Sequence, residues 1–181
     1  MRNLNIYTDG ACSNNQEENN IGGYGAILEY GHIKKELYGG EKNTTNNRME
    51  MKALLIAFEA IKKEGQRIRV FSDSSYLMEC FRKKWYVDWQ KNGWKTKAKK
   101  PVGNRDLWEK LIVYLDSHDI SFYRVKGHVN LEGRNETLLS LFNTFKEYNG
   151  EDFSYEDFIY ITKMNRRADE LANLGIDEVR A

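Results

Sequence analysis

Leu4-Asn5-Ile6-Tyr7-Thr8-Asp9-Gly10 alternates apolar and polar residues, then stops on a turn pair. A period of two marks a strand. Two more strand-like runs follow, Gly23 to Tyr30 and Ile33 to Tyr38, around a turn at Gly31-His32. A further turn is expected at Gly39-Gly40. Three strands on short turns predict an antiparallel meander. Downstream, Met49, Ala53, Leu54, Ala57, Phe58 and Ile61 keep helical spacing. They predict a helix capped by Asn46 or Asn47, running to about Lys63 and stopped by Gly65. Arg67 to Phe71 and Ile120 to Val125 read as strands. Ser74 to Lys83, Asp106 to Ser117 and a final segment holding Arg167 to Leu174 read as helices. Strands that give way to alternating helices and strands predict an α/β fold, with a five-stranded mixed sheet flanked by helices.

The 181 residues fit one domain over 1–181. At 40% hydrophobic and 30% charged the chain is not disordered as a whole. Its formal net charge of +1 hides an uneven distribution. Arg82 to Lys100 holds eight basic residues and one acid, Asp88, interleaved with Trp85, Trp89 and Trp94. Leu131 to Met164 holds seven acids and three bases. The two cysteines, Cys12 and Cys80, make neither a disulfide framework nor a metal quartet. No apolar run is long enough to span a membrane, and the first residues lack a signal-peptide stretch. A cytoplasmic protein is expected.

Leu131 to Met164 is apolar at Leu138, Leu141, Phe142, Phe145, Phe158, Ile159 and Ile161. A helix near Glu136 to Tyr148 is expected, with a second short one near Tyr155 to Ile161. This content favours a packed helical elaboration over a lid or a partner surface.

Four acids stand out. Asp9 and Asp73 each follow a predicted strand, where ligands collect in sheets with helical crossovers. If those strands are neighbours, the two carboxylates repel unless a divalent cation lies between them. Glu50 shares the apolar face of its helix, with Ala53, Leu54, Ala57 and Ile61 on the same stripe, and a carboxylate there needs a partner. Asp169 sits in the last helix beside Ala168, Leu171 and Ala172. Each residue taken alone also has a plain structural explanation. Asp9-Gly10 is a common turn pair, Glu50 can close a capping box with Asn47, Asp73 can cap the next helix, and Asp169 can be a solvated charge.

The ordered set is more specific. Tyr7-Thr8-Asp9-Gly10-Ala11-Cys12, Gly22-Gly23-Tyr24-Gly25-Ala26, Thr44-Thr45-Asn46-Asn47-Arg48-Met49-Glu50, Ser72-Asp73-Ser74, Lys126-Gly127-His128 and Asn165-Arg166-Arg167-Ala168-Asp169-Glu170-Leu171-Ala172 follow in that order. Together with Asn92-Gly93-Trp94-Lys95-Thr96 and Lys99-Lys100-Pro101-Val102, they closely resemble type 1 ribonuclease H. The resemblance covers almost the whole chain except Leu131 to Met164. It implies a ribonuclease H-like fold with a basic helical protrusion, and cleavage of the RNA strand of RNA–DNA hybrids to 5′-phosphate and 3′-hydroxyl ends. By position, Asp9, Glu50, Asp73 and Asp169 match the family's metal-binding carboxylates, and His128 matches its mobile histidine. All-oxygen ligands suit two Mg²⁺ ions, with Mn²⁺ able to substitute.

The resemblance also places Asn15, Asn46 and Asn47 at the RNA strand, and Thr45 and Asn104 at a DNA phosphate. Trp85, Trp89, Trp94, Lys95 and Lys99 fall in the protrusion that meets the hybrid, although Trp85 and Trp89, four apart, can instead pack the protrusion onto its own helix. Two departures stand out. Asn43 replaces the arginine that the family often carries two residues before Thr45. His128 and Asp169 lie 41 positions apart, where a short loop is usual. The match starts at the first strand, so no preceding hybrid-binding domain and only modest processivity are expected. A monomer is expected, and the insertion is a candidate surface for a protein partner.

Overall fold

The computed structural model describes residues 2–13 and 18–181. In chain order the elements are β1 (Leu4–Ser13), β2 (Ile21–Tyr30), β3 (Ile33–Lys42), α1 (Asn46–Glu59), β4 (Arg67–Ser72), α2 (Ser75–Arg82), α3 (Trp85–Asn92), α4 (Arg105–Ser117), β5 (Asp119–Arg124), α5 (Asn135–Asn149) and α6 (Tyr155–Arg180). The sheet order is β3-β2-β1-β4-β5. β1, β2 and β3 pair antiparallel, while β4 runs parallel to both β1 and β5. The expected mixed sheet is present.

Both faces of the sheet are covered, and the alternation of β1 and β4 shows why. Leu4, Ile6, Ile68 and Val70 share one core with α1 to α4, and Trp108 is fully buried there. Tyr7 and Phe71 face the other way, into a second core with Phe145, Phe153, Phe158, Ile161 and Met164. Register puts Tyr7 opposite Phe71 and Phe71 opposite Tyr123. Their rings stack in a row at 5.2 Å centroid spacing. Phe153 closes the row edge-on, 5.1 Å from Tyr123 and 5.1 Å from Phe145. The insertion is therefore packed core, as its apolar content predicts.

Several boundaries differ from the sequence expectations. The final helix and the short one before it are a single 26-residue helix, α6, closed at its start by a capping box between Ser154 and Asp157. No glycine or proline interrupts 155–174, so nothing breaks it. Gly39-Gly40 is not a turn, because β3 continues to Lys42. These glycines serve close approach instead. A Cβ on Gly40 would lie 2.4 Å from the Gly175 carbonyl oxygen of α6, and one on Gly23 would lie 1.8 Å from that of Ala172. α6 thus lies flush on β2 and β3. α1 ends at Glu59, ahead of Lys63 and Gly65. Its cap is Thr45, whose Oγ1 accepts from the Arg48 N–H at 3.2 Å, so neither Asn46 nor Asn47 does that job.

The N-terminal part of α6 is also tied to the sheet by polar contacts. Glu29 is buried and accepts from Tyr7 Oη at 3.0 Å and from Tyr160 Oη.

Phe153→Ala removes the ring that closes the aromatic row. The variant is expected to lose about 3–5 kcal/mol of stability, the usual cost of truncating a buried phenylalanine. Urea unfolding followed by tryptophan fluorescence checks this, and an unchanged midpoint would contradict the packing described.

Candidate active site

The site begins where β1 and β4 part. Their parallel pairing runs from Leu4–Ile68 to Thr8–Ser72. The next residue on each strand is Asp9 and Asp73, so the sheet delivers two carboxylates side by side. Gly10 then lets α1 approach, since a Cβ there would lie 2.5 Å from the Glu50 nitrogen. Glu50 comes in on the first turns of α1. Asp9, Glu50 and Asp73 each offer a carboxylate oxygen within 4.8 Å of the others. Asp9 and Glu50 are 4% and 8% exposed.

The alternative explanations for these acids fall away. Ser74, not Asp73, caps α2, accepting from the Leu77 N–H at 3.2 Å. Glu50 closes no capping box, because the cap is Thr45 and the residue three further on is Arg48. Asp9 does accept from the Gly10 N–H at 2.9 Å, but inside a strand that continues to Ser13.

Electrostatics show the strain of this arrangement. Burial, then the Asp73 charge, pushes Asp9 up to about 8. Burial, then Asp9 and Asp73, pushes Glu50 well above the usual carboxylate range. Burial also raises Asp73. Each carboxylate opposes the ionisation of its neighbours, and a cation among them would relieve that opposition. Glu50 Oε2 is buried with no hydrogen-bond partner. An orphaned buried oxygen beside two more carboxylates fits a hard divalent ion, which takes oxygen ligands.

Asp169, on α6, lies outside the tight trio but lines the same cleft of about 580 Å³. Its charge raises both Asp9 and Asp73. His128, Asn46 and Asn47 line that cleft as well. His128 holds a left-handed backbone, φ 56°, and Gly127 before it packs so closely that a Cβ would sit 2.4 Å from Asp73 Oδ2.

The outer residues divide. Asn15 lies outside the described residues. Thr45 stands exposed at the start of α1. Asn104 Oδ1 accepts from Arg48 Nη1 at 3.4 Å, so Arg48 brings a guanidinium to the region where Asn43 supplies none. Asp106 holds that guanidinium at 3.0 and 2.7 Å. Trp85, Trp89 and Lys95 line a groove of about 680 Å³, which Trp94 and Lys99 do not. Trp89 is buried against Trp108, 5.4 Å between centroids, and so packs the protrusion. Trp94 is buried too, with Arg105 over its ring, and offers no open stacking face. Lys99 is exposed.

Sequence reasoning missed Asn165. It is 4% exposed, hydrogen-bonds to the Asp73 carboxylate, and leaves its own Oδ1 buried without a partner. The available signal was its place one helical turn before Asp169.

The RNase H family model matches residues 1–140. The chain belongs to the RNase H family. Ribonuclease H of Clostridium botulinum (strain Hall) is 46% identical over 135 residues, covering 75% of this chain and 90% of the relative. Ribonuclease H of Alcanivorax borkumensis is 41% identical over 180 residues, covering 99% and 95%, so that alignment runs through the insertion and Asp169. Among solved structures, LC9-RNase H1, a type 1 RNase H with the type 2 active-site motif, superposes with a TM-score of 0.63 at 25% identity, over 91% of this chain and 85% of that one. LC11-RNase H1, solved in complex with RNA/DNA hybrid, gives 0.58 at 19% over 98% and 99%, which shows the shared fold. The protein is thus a ribonuclease H hydrolase, of a family that uses divalent metal, and its acidic trio suits such an ion.

Because Asp9 binds its proton more tightly folded than unfolded, the folded state holds the extra proton between pH 3.8 and about 8. In chelator, that stabilising contribution is full below pH 3.8 and is lost as pH rises through 8. Asp9→Asn removes the repulsion. At pH 8 in chelator it is expected to raise Tm by about 3–6 °C, at roughly 2–4 °C per kcal/mol for a chain of this size. Saturating Mg²⁺ should erase the difference. Equal melting curves in chelator would contradict the mutual repulsion.

Proposed function

We propose that this ribonuclease H cuts the RNA strand of RNA–DNA hybrids endonucleolytically, leaving 5′-phosphate and 3′-hydroxyl ends. The observation that carries the proposal is the buried all-oxygen trio of Asp9, Glu50 and Asp73, with its orphaned Glu50 oxygen, on the floor of an open cleft. Asp9, Glu50, Asp73 and Asp169 would hold two Mg²⁺ ions, with Mn²⁺ an effective substitute. When bound, such ions supply Lewis acidity toward a phosphate and neutralise the carboxylates.

The protein's own groups do the rest. Asp9 and Asp73, fixed at the strand ends, would hold the ions that receive the scissile phosphate at a set place relative to the sheet. Glu50, rigid on α1, keeps the site from collapsing around it. His128, at the cleft edge, handles a proton at the leaving 3′ oxygen. Asn46 and Asn47 offer amides that both donate and accept, as recognition of a 2′-hydroxyl requires. Thr45, Arg48 and Asn104 receive a phosphate of the DNA strand, and the groove lined by Trp85, Trp89 and Lys95 receives the duplex backbone further on.

We place the enzyme in the cytoplasm as a monomeric, one-domain protein. No helix among the described residues is long and apolar enough to cross a membrane.

An end-labelled hybrid in Mg²⁺ tests this, beside single-stranded RNA, duplex RNA and duplex DNA. Only the RNA strand of the hybrid should be cut. Asp9→Asn is expected to lower kcat by at least ~1,000-fold, and His128→Ala by about 100-fold, the size of a general acid–base contribution. Binding of hybrid without cutting, in Mg²⁺ and in Mn²⁺, would overturn the hydrolytic reading.

A further inference from the structure

The insertion is acidic in total, yet its acids point elsewhere. Glu132 pairs with Arg166 at 3.5 Å, Glu151 pairs with Lys146 at 3.2 Å, and Asp157 serves the cap of α6. None of its seven acids lines the cavity of about 310 Å³ that α5 forms with the end of β5 and the turn after it. That cavity has apolar walls from Leu141, Phe145 and Phe158, and two cations, Arg124 and Lys126.

Arg124 is held ready. Its guanidinium carbon lies 4.7 Å from the centre of the Tyr148 ring. Its backbone is clamped by Asn149, whose amide accepts from the Arg124 N–H at 3.0 Å and donates to the Arg124 carbonyl at 2.7 Å. Among the described residues neither Arg124 nor Lys126 enters a salt bridge. The one carboxylate on the cavity is Asp73, which the backbone of Gly127 alone separates from the turn. The cavity and the candidate metal cleft are therefore two sides of one aspartate.

We propose that this cavity is a substrate subsite built by the insertion, which takes a backbone phosphate of the strand being cut, next to the scissile one. Arg124 and Lys126 meet the phosphate, and the apolar walls take the attached nucleoside. The proposal rests on the hybrid-cleaving reading above. Charge decides the occupant, because two unneutralised cations beside a site for a polyanion select a phosphate over an apolar group or an acidic-site partner.

Three variants test it, with hybrid binding measured by fluorescence anisotropy in EDTA, so that no cutting intervenes. Lys126→Gln removes one cation. Thr144→Glu puts a carboxylate on the exposed wall of the cavity. Asn143→Glu adds the same charge one residue away, outside it. Lys126→Gln and Thr144→Glu are each expected to weaken binding about five- to tenfold, with Asn143→Glu binding like the parent. Lys126→Gln should also flatten the dependence of log Kd on log salt by roughly one, the signature of one lost phosphate contact. Melting curves confirm that all three fold.

Parent-like binding by Lys126→Gln and Thr144→Glu, or equal weakening by both glutamates, would overturn the subsite. Cleavage by the parent protein in Mg²⁺ is scored separately. Its failure, with the binding pattern intact, would remove the hydrolytic reading and with it the scissile neighbour, leaving only a phosphate-binding cavity; cleavage with the binding pattern absent would remove the subsite alone.

Discussion

The parallel pairing of β1 with β4 is the constraint on which the rest depends. It is a backbone arrangement, closed between Thr8 and Ser72, and it forces the next side chains, Asp9 and Asp73, together at the sheet's end. Bringing like charges into a buried site is costly. The cost is tolerable here because everything around the pair is over-determined. α1 is pressed against Gly10, α6 is pressed against Gly23 and Gly40, and both faces of the sheet are filled. A looser frame would let the carboxylates drift apart, and with them the affinity for a cation.

The two faces of the sheet do different work. The first is a conventional core, centred on α1 and Trp108, that carries Glu50 and supports the protrusion. The second rests on an aromatic row whose last ring, Phe153, comes from the insertion. Tyr160 reaches Glu29 from the same added region. The extra residues are thus part of the support of β1, β4 and β5, not an appendage.

Much of this was legible in the sequence. Alternation in Leu4 to Thr8 gave a strand, and the stripe through Glu50 gave a helix with a carboxylate on its buried side. Several of the errors share one physical origin, which is that tertiary contact overrode a local rule. Gly39-Gly40 carries the composition of a turn, yet the bare Cα of Gly40 seats α6 and that of Gly39 makes room for the Tyr24 ring. Asn46 and Asn47 are good caps, but Thr45 has the extended backbone that the position needs. Trp94 looks like a stacking surface in a basic run and is instead buried. Asn165 is marked only by its place one helical turn before Asp169, because its importance lies in reaching Asp73 from a distant helix. The absence of any breaker over 155–174 was the clue to one long helix.

That helix has a consequence for how the molecule is divided. The family match ends at residue 140, inside the insertion. A cut drawn there would split α5 and part Asp169, with the whole of α6, from Asp9, Glu50 and Asp73. Mechanically no such border exists, because α6 is one rod about 39 Å long. It is anchored at one end by a capping box and runs flush along the sheet to Gly175. Its added first turns and the fourth carboxylate share a single axis. The end of the insertion and Asp169 therefore belong to one continuous helix, wherever the family match ends.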